Sequence, residues 1–203
     1  MLEVFIQALV LYFVVIDPIG ITPIFMSITQ RQNEREKNKT AIESVFIATI
    51  ILILFSIIGQ FIFSYLNVSL ESFRIAGGII LFLISLEMLF NKRQERKEQI
   101  IDKTKNELSI FPLAIPILAG PAAITSTIVI ATNNQGEIIS QIISLLGLIL
   151  VMLITLIFFL LLSKFDKFFN KNVTNIISRV IAIILAALSI QYIIDGLLVL
   201  FKI

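Results

Sequence analysis

Cysteine and histidine are both absent from the 203 residues of this chain. The first absence excludes disulfide staples and thiolate metal sites, and it leaves the redox compartment open. The second removes the usual proton shuttle and the commonest metal ligand. Charged residues are scarce as well, at 15% of the chain, and no segment reads as a P-loop or other ATPase part. What fills the sequence is apolar: 58% of the residues are hydrophobic and the mean hydropathy is +1.00. That is far too apolar for a soluble domain of this size, so the composition predicts an all-α integral membrane protein.

A helix needs about 20 mainly apolar residues to cross a bilayer. Five windows meet that length: Leu2 to Thr29, Ala41 to Leu66, Phe73 to Phe90, Ile138 to Leu162 and Val180 to Phe201. A sixth, Leu108 to Ala131, is rich in proline and glycine and carries no charge. Six transmembrane helices are therefore predicted. The first window lacks the basic start and the small-residue cleavage site of a secretory signal, which reads it as a retained helix.

The placement of the 16 basic residues carries more information than the net charge of +2. Loop 30–40 holds Arg31, Arg35, Lys37 and Lys39, segment 91–107 holds six, and the stretch between the last two windows holds Lys164, Lys167, Lys171 and Arg179. Only Arg74 and Lys202 fall on the other side. The positive-inside rule then predicts three cytoplasmic loops and both termini outside, in a bacterial-type inner (plasma) membrane. Acidic residues such as Glu34, Glu36, Glu95 and Glu98 interleave with the basic ones, which argues against nucleic acid as a partner.

Sliding the sequence on itself aligns DPIGIT at 17–22 with GPAAIT at 120–125, Ser85–Met88 with Ser189–Tyr192, and Arg74 with Arg179. The offsets agree to within about two residues, as a duplicated three-helix unit requires. Three is odd, so the second copy enters the membrane from the opposite side. The predicted architecture is two inverted three-helix repeats, 1–90 and 108–203, joined by a charged cytoplasmic linker at 91–107. Helices 1 and 4 are discontinuous.

Those discontinuities carry the chemistry. Proline lacks an N–H and clashes with the preceding turn, so Pro18 and Pro121 fit at the start of a new helix rather than inside one. Asp17 and Gly120 are then the N-caps of two half-helices. Each restart leaves free N–H groups and a positive dipole end at membrane depth, where such backbone is tolerated only inside protein or beside a wet cavity. Inversion turns the restarts toward each other, so their N–H groups could hold a carboxylate and the preceding helix ends an ammonium. The predicted binding residues are Asp17, Pro18, Ile19, Gly20, Ile21 and Thr22 at the first break. At the second they are Ala119, Gly120, Pro121, Ala122, Ala123, Thr125 and Ser126. Thr127 could add a further hydroxyl. Asp17, about 22 Å along the first helix from Leu2, is the one acid near the middle of a span and the candidate for coupling-ion binding. Gly77, Gly78, Ala186 and Ala187 read as helix-packing contacts. Arg74, Arg179 and Asp195 read as helix-end residues; Glu87 and Gln191 stay open.

At these residues the chain resembles the MarC family (UPF0056), through DPIGITPIF at 17–25, PLAIPILAGPAAIT at 112–125, RIAGGIILFLISLEML at 74–89 and SIQYIIDGL at 189–197. The resemblance spans essentially the whole chain. It implies a six-helix inner-membrane protein with both termini outside, and transport of small neutral amino acids such as glycine and alanine. Two departures bear on the site: Ile21 stands where many relatives have Asn, and Ala122 where many have Gly.

The expected function is thus secondary transport of a small neutral amino acid, coupled to protons or sodium, by alternating access around a midplane site. The alternative is an ion or metal channel or exporter, which one intramembrane Asp without His or Cys supports poorly. No nucleophile–base pair or metal-ligand set appears in the spans, so the chain does not read as an enzyme and calls for no metal or cofactor. The expected partners are the substrate and the lipid bilayer; a homo-oligomer is left open.

Overall fold

A computed structural model describes residues 1–30, 32–65, 69–90, 92, 113–134, 136–164 and 171–201. Every regular element among them is helical. The predicted linker at 91–107 lies, apart from Lys92, outside the described residues.

Helix α1 (Leu2–Ile16) stops at Asp17, whose left-handed backbone (φ 56°, ψ 65°) turns the chain out of the helix while its N–H still donates to Phe13. Asp adopts that conformation more readily than most residues, and Pro18 could not have continued the ladder. A tight turn over residues 18–21 leads into the short α2 (Thr22–Ile28). Helix α3 (Glu34–Tyr65) begins ahead of its apolar window, because Asn33 and Glu36 form a reciprocal capping box, each side chain accepting the other's backbone N–H at 2.9 Å. Ser69 caps α4 (Leu70–Leu89) by accepting from Ser72 N–H.

The fourth apolar window is broken in two places. Residues Leu113–Leu118 form a short, wide-turned segment interrupted at Ile115, which is extended at φ −135°, ψ 126°. The wide turn closes with Ala119 N–H donating to Ala114 at 2.9 Å. Gly120 is extended, and Pro121 opens α5 (Pro121–Asn133), as the sequence predicts. A short turn around Gly136 reverses the chain into α6 (Ile138–Lys164), and α7 (Lys171–Phe201) ends the described chain.

Three stretches, residues 34–59, 138–163 and 176–201, are long and apolar enough to cross a membrane by length and composition. On α3 the exposed side chains Ile42, Phe46, Ile50, Leu54, Ile57 and Phe61 form one stripe, while Ala41, Ser44, Val45, Ala48 and Leu52 are buried on the other face. A soluble helix shows the reverse arrangement, with its polar stripe outward.

The helices pack as two groups. In the first, α1 and α2 run parallel to α6: Gly147 meets Ala8 and Leu9, and the rings of Phe25 and Phe159 stack at 4.3 Å. Helix α3 lies between α6 and the fourth window, with Ser163 donating to Asn38 at 2.6 Å and Gly59 against Ile128. The second group is the antiparallel pair α4–α7. A Cβ on Gly78 would meet Ile193 Cγ1 and Ser189 O, both at 2.7 Å, and one on Gly196 would meet Ile75 Cγ1 at 2.7 Å and Glu71 O at 3.0 Å. Small residues at these crossings bring backbones together where lipid supplies no hydrophobic drive. The pair touches the first group where α4 crosses α5 and α7 crosses α1.

Candidate functional site

The helices that carry the two breaks, α1 and α5, pack against each other in the first group. Tyr12 on α1 is buried, and its hydroxyl hydrogen-bonds the side chain of Thr127 on α5. The Thr127 hydroxyl also donates to Ala123 O at 2.8 Å. Tyr12 lies five residues before Asp17, and Thr127 seven after Gly120. Helices α1 and α5 are antiparallel, so at about 1.5 Å per residue this contact puts the breaks within about 5 Å of one level.

The first break is closed upon itself. Asp17 is 4% exposed, and its Oδ1 accepts from Gly20 N–H at 3.0 Å. Its carbonyl accepts from Ile21 N–H at 3.0 Å, and Ile19 O accepts from Thr22 N–H at 3.2 Å. Thr22 returns its hydroxyl to Pro18 O at 3.1 Å. The expectation of a row of free N–H groups here is therefore corrected: Asp17 spends its own carboxylate and carbonyl on them. Its N-cap role is corrected in part as well. The side chain caps the turn at Gly20, but the residue itself closes α1, and Ile21 immediately precedes α2. Gly20 is required sterically, since a Cβ there would fall 2.1 Å from Asp17 Oδ2.

The second break is open. Ile124 N–H bonds Gly120 O, but no described group accepts from the N–H of Ala122 or Ala123, both buried. Ser126, fully buried one turn on, has a hydroxyl with no partner among the described residues. Buried polar groups left unmatched in this way are uncommon and mark strain or a binding role. Ala119, Gly120 and Thr125 are buried around them, whereas Pro121 is exposed. At the first break Pro18, Gly20, Ile21 and Thr22 are buried and Ile19 is half-buried.

No basic side chain among the described residues forms an ion pair with Asp17. Its other oxygen, Oδ2, lies 3.5 Å from the hydroxyl of Ser178 on α7, at the outer limit of a hydrogen bond. Tyr12 and Ser178 are the residues that sequence reasoning missed. A tyrosine inside an apolar helix, whose hydroxyl must find a partner, was the available signal for the first; Ser178 reaches the break only through tertiary packing. Gln191 is exposed and donates to Asp195 at 2.7 Å, well away from the breaks. Arg74 donates through Nη2 to Asn133 at the end of α5. No group of acidic residues with metal-holding geometry occurs among the described residues.

Residues 2–201 match the model of the MarC family integral membrane proteins. The chain is 32% identical over 201 residues to a UPF0056 membrane protein of Archaeoglobus fulgidus, covering 97% of this chain and 93% of that one. It is 34% identical over 194 residues to a UPF0056 membrane protein of Buchnera aphidicola, covering 91% and 88%. Over 190 residues it is 30% identical to the UPF0056 membrane protein YhcE of Escherichia coli K12, covering 91% and 87%. No solved structure matches the chain.

Proposed function

The chain belongs to the MarC family of integral membrane proteins, and from that premise we propose that it is a secondary transporter of small neutral amino acids working by alternating access between two inverted repeats. The observation that carries this reading is the unequal chemistry of the two breaks: a buried carboxylate at Asp17 with no basic partner among the described residues, and at Ala122, Ala123 and Ser126 polar groups on a helix N-terminus that are unmatched among the described residues. A zwitterion brings an ammonium for the first and a carboxylate for the second. The small residues of the second break, Gly120, Ala122 and Ala123, favour a small substrate.

The packing supports the repeat. An inverted duplication makes spans 1, 2 and 3 equivalent to spans 4, 5 and 6. The contact of α1 and α2 with α6 then corresponds to that of the fourth window with α3, and the third helices pair antiparallel across the axis. A pseudo-two-fold axis in the membrane plane accounts for all three relations. With the basic loops inside, both termini face outward.

Asp17 is the proposed coupling residue, binding a proton or sodium ion in exchange with the substrate ammonium. The test is uptake of labelled glycine and alanine into proteoliposomes under imposed proton and sodium gradients. Saturable flux is expected with the native protein, and uncoupled or absent flux with Asp17→Asn, which keeps the cap to Gly20 but not the charge. Absence of flux for every small amino acid overturns the transporter reading; fully coupled flux in Asp17→Asn overturns the coupling role.

A further inference from the structure

Four of the helices close a ring. Helix α1 packs on α5 and on α7, and α4 packs on the same two, whereas α1 with α4 and α5 with α7 make no comparable seam among the described residues. Successive residues of a helix point about 100° apart, so the known contacts of neighbouring residues show which side chains face inward. On α5, Thr127 meets Tyr12 of α1, Thr125 meets Gly77 of α4, and Ile128 meets Gly59 of α3, which lies outside the ring. Ser126 falls between the α1 and α4 directions, opposite Ile128, and therefore faces the interior. On α4, Gly77 meets α5 and Gly78 meets α7. Arg74 and Leu81 fall in the wedge between them, so they face the interior too.

Arg74 is thus not a helix-end residue reaching out to water. It is half-buried, its Nη2 donates to Asn133, and its Nε is buried with no acceptor among the described residues. The fully buried Ser126 hydroxyl is unmatched in the same way. Seven residues separate Ser126 from Asn133 on α5, so these two unmatched groups stand about 10 Å apart along that helix. Between the two levels is the half-buried Tyr192 of α7, whose hydroxyl is within electrostatic reach of both Arg74 and Tyr12. Asp195, also in reach of Tyr192, accepts from Gln191 at 2.7 Å and forms no ion pair with Arg74 among the described residues.

We propose that Arg74 recognises the substrate's carboxylate ahead of the second break, and that the ring interior is the lane along which this group passes from Arg74 to Ser126 and the N–H groups of Ala122 and Ala123. This rests on the transporter reading. A guanidinium, a hydroxyl and two backbone N–H groups all donate, which suits an anionic oxygen at every step. The opposite side of α5, at Ile128, offers nothing polar. Leu81 is fully buried in the wedge, so the lane is closed in this structure and passage requires side chains to move. Arg74 makes the lane selective for anionic groups, and a glycine derivative that keeps its ammonium but has its carboxylate converted to an amide is rejected.

The absence of cysteine permits a test that needs no substrate. Ser126→Cys in mixed micelles is reacted with methanethiosulfonates carrying either a sulfonate or a trimethylammonium group, each rate being divided by that of a free thiol. The sulfonate is expected to be favoured about fivefold or more. Arg74→Gln abolishes the preference, Arg74→Lys keeps it, and Asn133→Asp at an exposed position lowers it without removing the arginine. Ile128→Cys stays unreactive in each background, which reports an intact fold. In proteoliposomes, Arg74→Gln raises KM for glycine roughly tenfold and leaves kcat within about twofold, Arg74→Lys restores most of the loss, and glycinamide does not compete in the native protein. Ser126→Cys that fails to react or reacts no faster than Ile128→Cys, a charge preference indifferent to both Arg74→Gln and Asn133→Asp, or an unchanged KM in Arg74→Gln overturns the proposal. If labelling follows Arg74 while no small amino acid is carried, the transporter reading fails and the anion-selective lane stands.

Discussion

Replacing Gly20 with alanine puts a methyl group where the Asp17 carboxylate now sits, 2.1 Å from Oδ2, 2.7 Å from Cγ and 2.9 Å from Oδ1. Gly20 does not use the left-handed backbone region, so the conflict is with one side chain and not with φ. The carboxylate must swing away and give up its 3.0 Å bond from Gly20 N–H. Loss of a cap costs about 1 kcal/mol, and the buried groups left unmatched cost about 1–3 kcal/mol more. The reduced freedom of alanine in the unfolded chain offsets roughly 0.5 kcal/mol. The net destabilisation is about 1.5–3.5 kcal/mol. In an Asp17→Ala background no carboxylate is in the way, and Gly20→Ala becomes slightly stabilising. A double-mutant cycle should therefore return a coupling of about 2–4 kcal/mol between positions 17 and 20. Reversible unfolding of the four proteins in mixed micelles, followed by far-ultraviolet circular dichroism, measures it. A coupling below about 0.5 kcal/mol would refute the geometry of the break.

Gly78→Val drives a side chain into Ser189 O and Ile193 and is expected to cost about 1–3 kcal/mol in the same unfolding assay, since a backbone carbonyl cannot rotate aside. Gly136→Ala meets open space but a φ of 88°, so its cost of roughly 1 kcal/mol comes from backbone alone, and Gly136→Asn should recover much of it. Thr127→Val leaves the Tyr12 hydroxyl buried without its Thr127 partner and should cost about 1–3 kcal/mol. Tyr12→Phe, which leaves Thr127 bonded to Ala123, should cost less, and combining it with Thr127→Val should recover part of the loss.

The breaks were legible because proline and glycine punctuate helices through covalent geometry, and Pro18, Gly20, Gly120 and Pro121 act in the chain wherever it packs. Gly120 as a cap with Pro121 behind it follows from that local rule. The fate of the N–H groups did not follow. Whether Asp17 offers its carboxylate outward or folds it onto Gly20 depends on a left-handed φ that no local pattern dictates. The start of α3 at Glu34 was legible in principle from Asn33 and Glu36 and was obscured by reading apolar length alone. Tyr12 with Thr127, and Ser178 with Asp17, are contacts between distant segments, and a single sequence holds no signal for them beyond the general need of a buried hydroxyl for a partner. Gly77 and Gly78 were legible as packing residues; that they face different partners, α5 and α7, was not.

Under the proposed duplication and inversion the two breaks are counterparts, and the residues that differ between them decide what the pair can hold. Asp17 against Gly120 is the decisive difference. A carboxylate at both breaks would put two negative charges close together in a low-dielectric interior, where like charges disfavour each other strongly. A glycine at both would leave two positive helix ends facing each other with nothing to balance them. In the proposed site, one of each gives one negative and one positive pole, which suits a ligand carrying both signs at short separation. Self-capping at Gly20 adds to this. It holds the Asp17 carboxylate in place, and the proposed ammonium would meet Oδ2, whose contact among the described residues is the long one with Ser178.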